Sequence, residues 1–191
     1  MMATNLFREE ENMSYPDFKV MSRYVLEDYL MNPDNVETLV VSITDIGAPL
    51  AGDDCDKDNI HFLRLQFNDC EVSTKWETAM SDEQGEEVAK FIKGWINKTY
   101  VEKIIVQCEA GCSRSAGVCA AIMKYLTGDD MPIFRNPKYS PNMNCYRMVY
   151  NALFNSKPDE IELKKKAKIS DAMYFADGSE WDYFGGKVIR E

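Results

Sequence analysis

The sequence predicts an α/β fold, a single domain in which a central, mostly parallel β-sheet is flanked by helices on both faces. Three observations carry this. Short β-branched apolar runs, Thr38–Ile43 and Lys103–Val106 among them, are too continuously hydrophobic to have a wet face and read as buried parallel strands. Segments with helical spacing and helix-start residues alternate with these runs, the pattern of a sheet with crossover helices. The chain has 191 residues, 45% of them hydrophobic, which is enough for one domain with a sizeable core.

Taken in order, residues 1–16 form an N-terminal extension, mixing charges with Asn and Met and lacking periodicity. Residues 17–154 form the main domain. Its first strand is Phe18–Met21, and Ser22 caps a helix running to about Met31, with Pro33 just past its end. Thr38–Ile43 is a central strand. Asp45–Asn59 is a connection carrying Gly47, Pro49 and Gly52, with Asp at 53, 54, 56 and 58. Its acidic spacing lacks the mid-loop Gly and closing Glu of a calcium loop, so it reads as a solvated acidic loop. His61 opens the next strand, through Phe67, as an ordinary strand residue. Ser81 with Gln84 forms a capping box for a helix that buries Val88, Phe91, Ile92 and Trp95. After the strand Lys103–Val106, small and apolar residues from Ala116 to Leu126 give a buried helix stopped by Gly128. Ser140-Pro141 opens a last helix, with Ser as cap and Pro in the first turn, burying Tyr146, Val149 and Leu153. Residues 155–191 form an appendage of different character. Lys164-Lys165-Lys166 follows an acidic patch, and the aromatics of Met173-Tyr174-Phe175 and Trp181-Asp182-Tyr183-Phe184 argue for packing on the domain over a partner-binding tail.

Composition narrows the function. The net charge is −10, which disfavours nucleic acid and anionic membrane as partners. No apolar run approaches the ~20 residues of a membrane span, and no signal peptide is read at the start. The six cysteines (55, 70, 108, 112, 119, 145) form no secreted framework, so a cytoplasmic location is expected. A single His removes any His-rich metal site.

The chemistry concentrates between the strand Lys103–Val106 and the helix from Ala116. There Cys108 opens a short loop, Glu109, Ala110, Gly111, Cys112 and Ser113, which Arg114 and Ser115 close. A loop wrapped at a helix N-terminus points backbone N–H groups inward and makes an anion cradle. Main-chain amides, the helix dipole and a nearby guanidinium all favour a thiolate. Arg offers a planar fork matching two phosphate oxygens, and a first-turn Ser can hydrogen-bond the sulfur. A Cys and an Arg six positions apart are a weak signal alone. Gly111, Ser115 and the flanking strand and helix make it specific.

On these residues the chain resembles the cysteine-dependent protein phosphatases, in particular the small dual-specificity-like and protein-tyrosine-phosphatase-like branch. The resemblance is motif-grade at the cradle, pattern-grade from about 17 to 154, and absent from the tail. It implies the phosphotyrosine protein phosphatase-like fold and a two-step displacement at phosphate monoesters through a phosphocysteine on Cys108. It also implies no cofactor and no metal. Residues 109–114 bind the phosphoryl oxygens, Ser115 assists the sulfur, and phosphate or sulfate fits the cradle. An Asp following a strand, some tens of residues before the Cys, acts as general acid. Asp69 fits, with Asp45 and Asp82 as rivals. Asn142 and Asn144 stand where such proteins place water-positioning or substrate-facing amides. Two departures stand out. Gln107 occupies the place of a His, and Cys112 is a second thiol inside the loop, read either as a small side chain facing away or as a partner for Cys108 on oxidation.

The expected substrate is a phosphotyrosine or mixed Tyr/Ser/Thr phosphoprotein. Alternatives are the same chemistry on a nucleotide, RNA 5′-phosphate or phosphoinositide, the last two of which prefer a basic rim, and a non-enzymatic phosphate-binding pseudophosphatase. Arg114-Ser115 at this spacing favours a phosphatase over a sulfurtransferase.

Overall fold

The computed structural model describes residues 15–53, 55, 57–176, 180–181 and 187–188. The expectations for most of the N-terminal extension, for Asp54 and Asp56, and for Asp182-Tyr183-Phe184 lie outside the described residues.

Four strands form one sheet: β1 (Asp17–Ser22), β2 (Thr38–Thr44), β3 (Ile60–Gln66) and β4 (Lys103–Cys108). They run in the order β1-β4-β2-β3, every neighbouring pair parallel. The two strands in the middle of this order, β2 and β4, are buried along their whole length, which is why their sequences show no polar alternation. Side-chain direction still alternates. Leu39, Val41, Ile43, Ile104, Val106 and Cys108 enter the larger core, while Val40 and Ile105 enter the smaller one on the opposite face.

Helix α1 (Arg23–Met31) covers the smaller core with Leu26, its first turn capped by Ser22 Oγ accepting from Val25 N–H. The larger core lies under α2 (Asp82–Ile96), α3 (Arg114–Thr127), the short α4 (Met131–Phe134), α5 (Met143–Phe154) and α6 (Glu160–Ala176). Both faces are therefore covered. The α2 capping box is formed: Ser81 Oγ accepts from Gln84 N–H, and Gln84 Oε1 accepts from Ser81 N–H. His61 lies in β3, stacked on Trp95 at 3.6 Å and within 2.6 Å of Glu37 Oε1. Gly117 lets α3 approach α5, because a Cβ there would collide with the Asn142 carbonyl.

One predicted helix start needs correction. Ser140 does not cap α5; Asn142 does, its Oδ1 accepting from Cys145 N–H at 3.0 Å. Ser140 N–H is spent on the Cys112 carbonyl, 2.9 Å away, and Pro141 is therefore outside the helix rather than in its first turn.

In the tail, α6 buries Leu163, Lys166 and Ser170. Lys166 Nζ donates to Asp130 Oδ2 at 2.8 Å, and Tyr146 Oη donates to the same oxygen at 2.7 Å. The two short strands β5 (Glu180–Trp181) and β6 (Lys187–Val188) pair antiparallel.

Candidate active site

The cradle lies at the carboxyl end of β4, where an open parallel sheet leaves room for a ligand. Cys108 is the last residue of the strand and Arg114 the first of α3, so both ends of the loop are fixed by regular structure. Gly111 makes the turn at φ +69°, and a Cβ there would strike the Ser22 amide and the Met21 carbonyl carbon. Only glycine both adopts that dihedral freely and permits the approach of β1.

Helix α3 begins without a side-chain cap. Ser113, at the N-cap, turns its Oγ away to donate to Asp69 Oδ1 at 2.8 Å. The first-turn amides are thereby left to an anionic ligand rather than to a protein oxygen.

Cys108 is 1% exposed, and its Sγ lies 3.0 Å from Ser115 Oγ. Arg114, 3% exposed, has one nitrogen fully engaged. Its Nη1 donates to Asp45 Oδ1 at 2.7 Å and to the Phe67 carbonyl at 2.6 Å. Its Nε is buried without a hydrogen-bond partner among the described residues, with Asp69 Oδ2 at 3.8 Å. Burial opposes the guanidinium charge, but Cys108, Asp45 and Asp69 outweigh it and raise the Arg114 pKa.

Asp69 follows β3 and is brought to the cradle by three contacts. Ser113 Oγ and Asn142 Nδ2 both donate to its Oδ1, the latter at 3.0 Å, and Arg114 Nε faces its Oδ2. Of the two rivals, Asp45 also reaches the guanidinium, its Oδ1 accepting from Arg114 Nη1, whereas Asp82 sits in the first turn of α2. Of the two Asn residues, Asn142 joins the site, whereas Asn144 Nδ2 donates to the Met80 carbonyl at 2.9 Å and serves the end of the Asp69 loop.

Gln107 is wholly buried on the opposite face of the sheet from Cys108, its Oε1 accepting from Ser42 Oγ at 2.8 Å and its Nε2 unpartnered. Cys112 is half-buried, and burial, followed by the charges of Cys108 and Asp69, pushes its thiol up to about 11.

One residue was not anticipated. Arg23, in the first turn of α1, forms a bidentate pair with Glu109, Nε to Oε2 and Nη2 to Oε1, both at 2.8 Å. Its backbone N–H also donates to the Glu109 carbonyl, and Nη2 reaches the Pro49 carbonyl. The hydrogen bonds from Arg23, opposed by burial, hold the Glu109 carboxyl below its ordinary pKa. No pattern in the sequence marked Arg23, because the pair spans 86 residues and two elements.

No protein-family model matches the chain, and no curated protein sequence matches it. Among solved structures, it is similar to Tk-PTP in its active form, at 19% identity over 79% of this chain and 89% of that one, TM-score 0.40. It is also similar to human DUSP28, at 17% identity over 83% and 96%, TM-score 0.42, and to PTPMT1, at 13% over 85% and 94%, TM-score 0.35.

Proposed function

We propose that this protein hydrolyses phosphate monoesters through a phosphocysteine on Cys108. The observation that carries the reading is a buried sulfur and a buried guanidinium at the two ends of one loop, the guanidinium Nε without a hydrogen-bond partner among the described residues. Leaving a charged donor unsatisfied in the interior is costly. A phosphoryl oxygen arriving beside Cys108 would satisfy it, together with the uncapped amides of α3.

In the first step Cys108 thiolate attacks phosphorus, the P–S bond forms, and the bond to the leaving oxygen breaks. Asp69 gives that oxygen its proton, held for the task by Ser113 and Asn142. Arg114 and the loop amides of residues 109–114 hold the equatorial oxygens, and Asp45 fixes the guanidinium through Nη1. In the second step water attacks phosphorus, Asp69 takes its proton, and the P–S bond breaks. Ser115 Oγ donates to the departing sulfur, which makes the thiolate a better leaving group.

The overall acidity, −10, supports a phosphoprotein over RNA or phosphoinositide substrates, whose own charge calls for a basic rim. The six unpaired cysteines support a reducing, cytoplasmic setting.

Turnover of para-nitrophenyl phosphate by wild type, Cys108→Ser and Asp69→Asn tests this. Cys108→Ser should be inert. Asp69→Asn should fall by roughly 10²–10⁴, and by less with a good leaving group. Activity surviving in Cys108→Ser would end the reading.

A further inference from the structure

Exposed apolar side chains lie on the two segments that reach Arg114. The loop that carries Asp69 exposes Val72 by 75% and Trp76 by 82%, and the connection that carries Asp45 exposes Ile46 by 53%. Single exposed hydrophobics need no explanation, but three on the two segments that grip Arg114 do.

The Asp69 loop is built to hold them out. Its ends are joined by Asn68 N–H to the Thr78 carbonyl at 2.8 Å and Thr78 N–H to Asn68 Oδ1 at 2.9 Å. Inside it, Thr74 Oγ1 accepts from the N–H groups of Trp76 and Glu77, each at 3.1 Å, and Ser73 Oγ from Ala79 N–H at 2.9 Å. Its base is rooted on α5, where Glu71 Oε1 accepts from Met143 N–H at 3.0 Å. Fixing a loop costs conformational entropy, and here the fixed loop presents an indole to solvent.

We propose that Trp76, with Val72 and Ile46, is a docking ledge for an apolar side chain flanking the phosphorylated residue of a peptide substrate. The inference rests on the phosphatase reading and extends it to substrate choice. Charge selects the occupant. Asp45 and Asp69 are already engaged with Arg114 and Glu71 with α5, which leaves Glu77 against Lys75, whose Nζ sits 4.7 Å from the Trp76 ring, on a chain of net charge −10. An anionic lipid surface or a nucleic acid is repelled by such a chain, whereas a peptide segment with apolar and neutral or basic residues is not. Reach agrees. Pairing of Asn68 with Thr78 and two further residues to Trp76 keep its Cα within roughly 16 Å of that of Asp69, a span of about four to five extended residues.

The test is a phosphotyrosine peptide series in a Ser/Lys background, with one Leu walked along about five positions on each side of the phosphorylated residue. Leu at a position that reaches the ledge should raise kcat/KM about tenfold. Trp76→Ala and Val72→Ser should lose that gain while turnover of para-nitrophenyl phosphate stays unchanged. A flat Leu series, a Leu preference that survives Trp76→Ala, or an equal loss on the aryl phosphate would overturn the ledge. So would co-sedimentation of the wild type, but not Trp76→Ala, with phosphatidylserine vesicles, which would make the patch a membrane contact. A wild type inert toward the aryl phosphate would instead sink the phosphatase reading beneath it.

Discussion

At the scale of single residues the cradle contains an electrostatic contradiction, a carboxylate built into a bowl for anions. Glu109 follows the nucleophile directly, and its charge opposes that of an arriving phosphate. Arg23 resolves this by neutralising both carboxylate oxygens from outside the loop. The arrangement separates an electrostatic role for Arg23 from a merely structural one. Arg23→Gln leaves Glu109 uncompensated and should raise KM for para-nitrophenyl phosphate roughly tenfold, with a smaller change in kcat. Adding Glu109→Gln removes the repulsion and should restore most of the loss. A simple clamp would respond oppositely, because the double variant would have lost both halves of it. Gly111→Ala belongs to the same scale. The added methyl meets β1 at a left-handed dihedral, so the loop must shift away from β1 and activity should be lost. Comparing phosphate binding with unfolding midpoints for this variant separates a displaced loop from a lost fold.

At the scale of elements, what the sequence reveals depends on how local the deciding contacts are. The strand, loop and helix around Cys108 are contiguous, so periodicity and spacing are enough to read them. The approach of Asp69 to the cradle is legible because it follows a strand. The contact of Asp45 with Arg114 is not, since it is decided by how β2 and β4 lie side by side. The start of α5 was misjudged because Ser140, a good cap by type, is drawn to Cys112 by tertiary structure. Helix α6 escaped notice for a related reason. Lys164-Lys165-Lys166 resembles a solvated face, yet Lys166 is buried on Asp130, itself 1% exposed, with Tyr146 donating to the same oxygen. Removing one partner of a buried pair strands the other, so Lys166→Met should destabilise the protein by about 3–5 kcal/mol. Leu163→Ala, which opens a cavity beneath the same helix, should cost about 2–5 kcal/mol. Urea unfolding followed by circular dichroism measures both. A Lys166→Met variant as stable as wild type would mean that α6 is not held through this pair.

At the scale of the whole molecule the buried thiols set how it responds to alkali and to oxidants. Burial raises the Cys119 thiol to about 12, and burial with neighbouring charge raises Cys112 to about 11. An unfolded thiol titrates near 8.5. A group whose folded pKa lies above its unfolded one contributes stability that is intact below the unfolded value and lost as pH rises through the folded value. Stability should therefore decline from about pH 8.5 upward, and Cys119→Ala should flatten that decline while lowering the plateau slightly. The same protonation governs redox chemistry inside the cradle. For Cys112 to close a disulfide on an oxidised Cys108, its sulfur must attack as thiolate and expel the sulfenic oxygen as water. At neutral pH a thiol held at about 11 is overwhelmingly protonated, and although oxidation removes the Cys108 charge, burial, the largest cause, remains. Cys112 is thus a poor resolving partner despite its position. After mild peroxide at pH 7, the tryptic peptide spanning residues 104–114 should carry oxygen on Cys108, or an external thiol added afterwards, and no internal disulfide. If mass spectrometry finds the internal bond as the main product, the Cys112 thiol is more acidic than its surroundings imply, and the cradle carries its own off-switch.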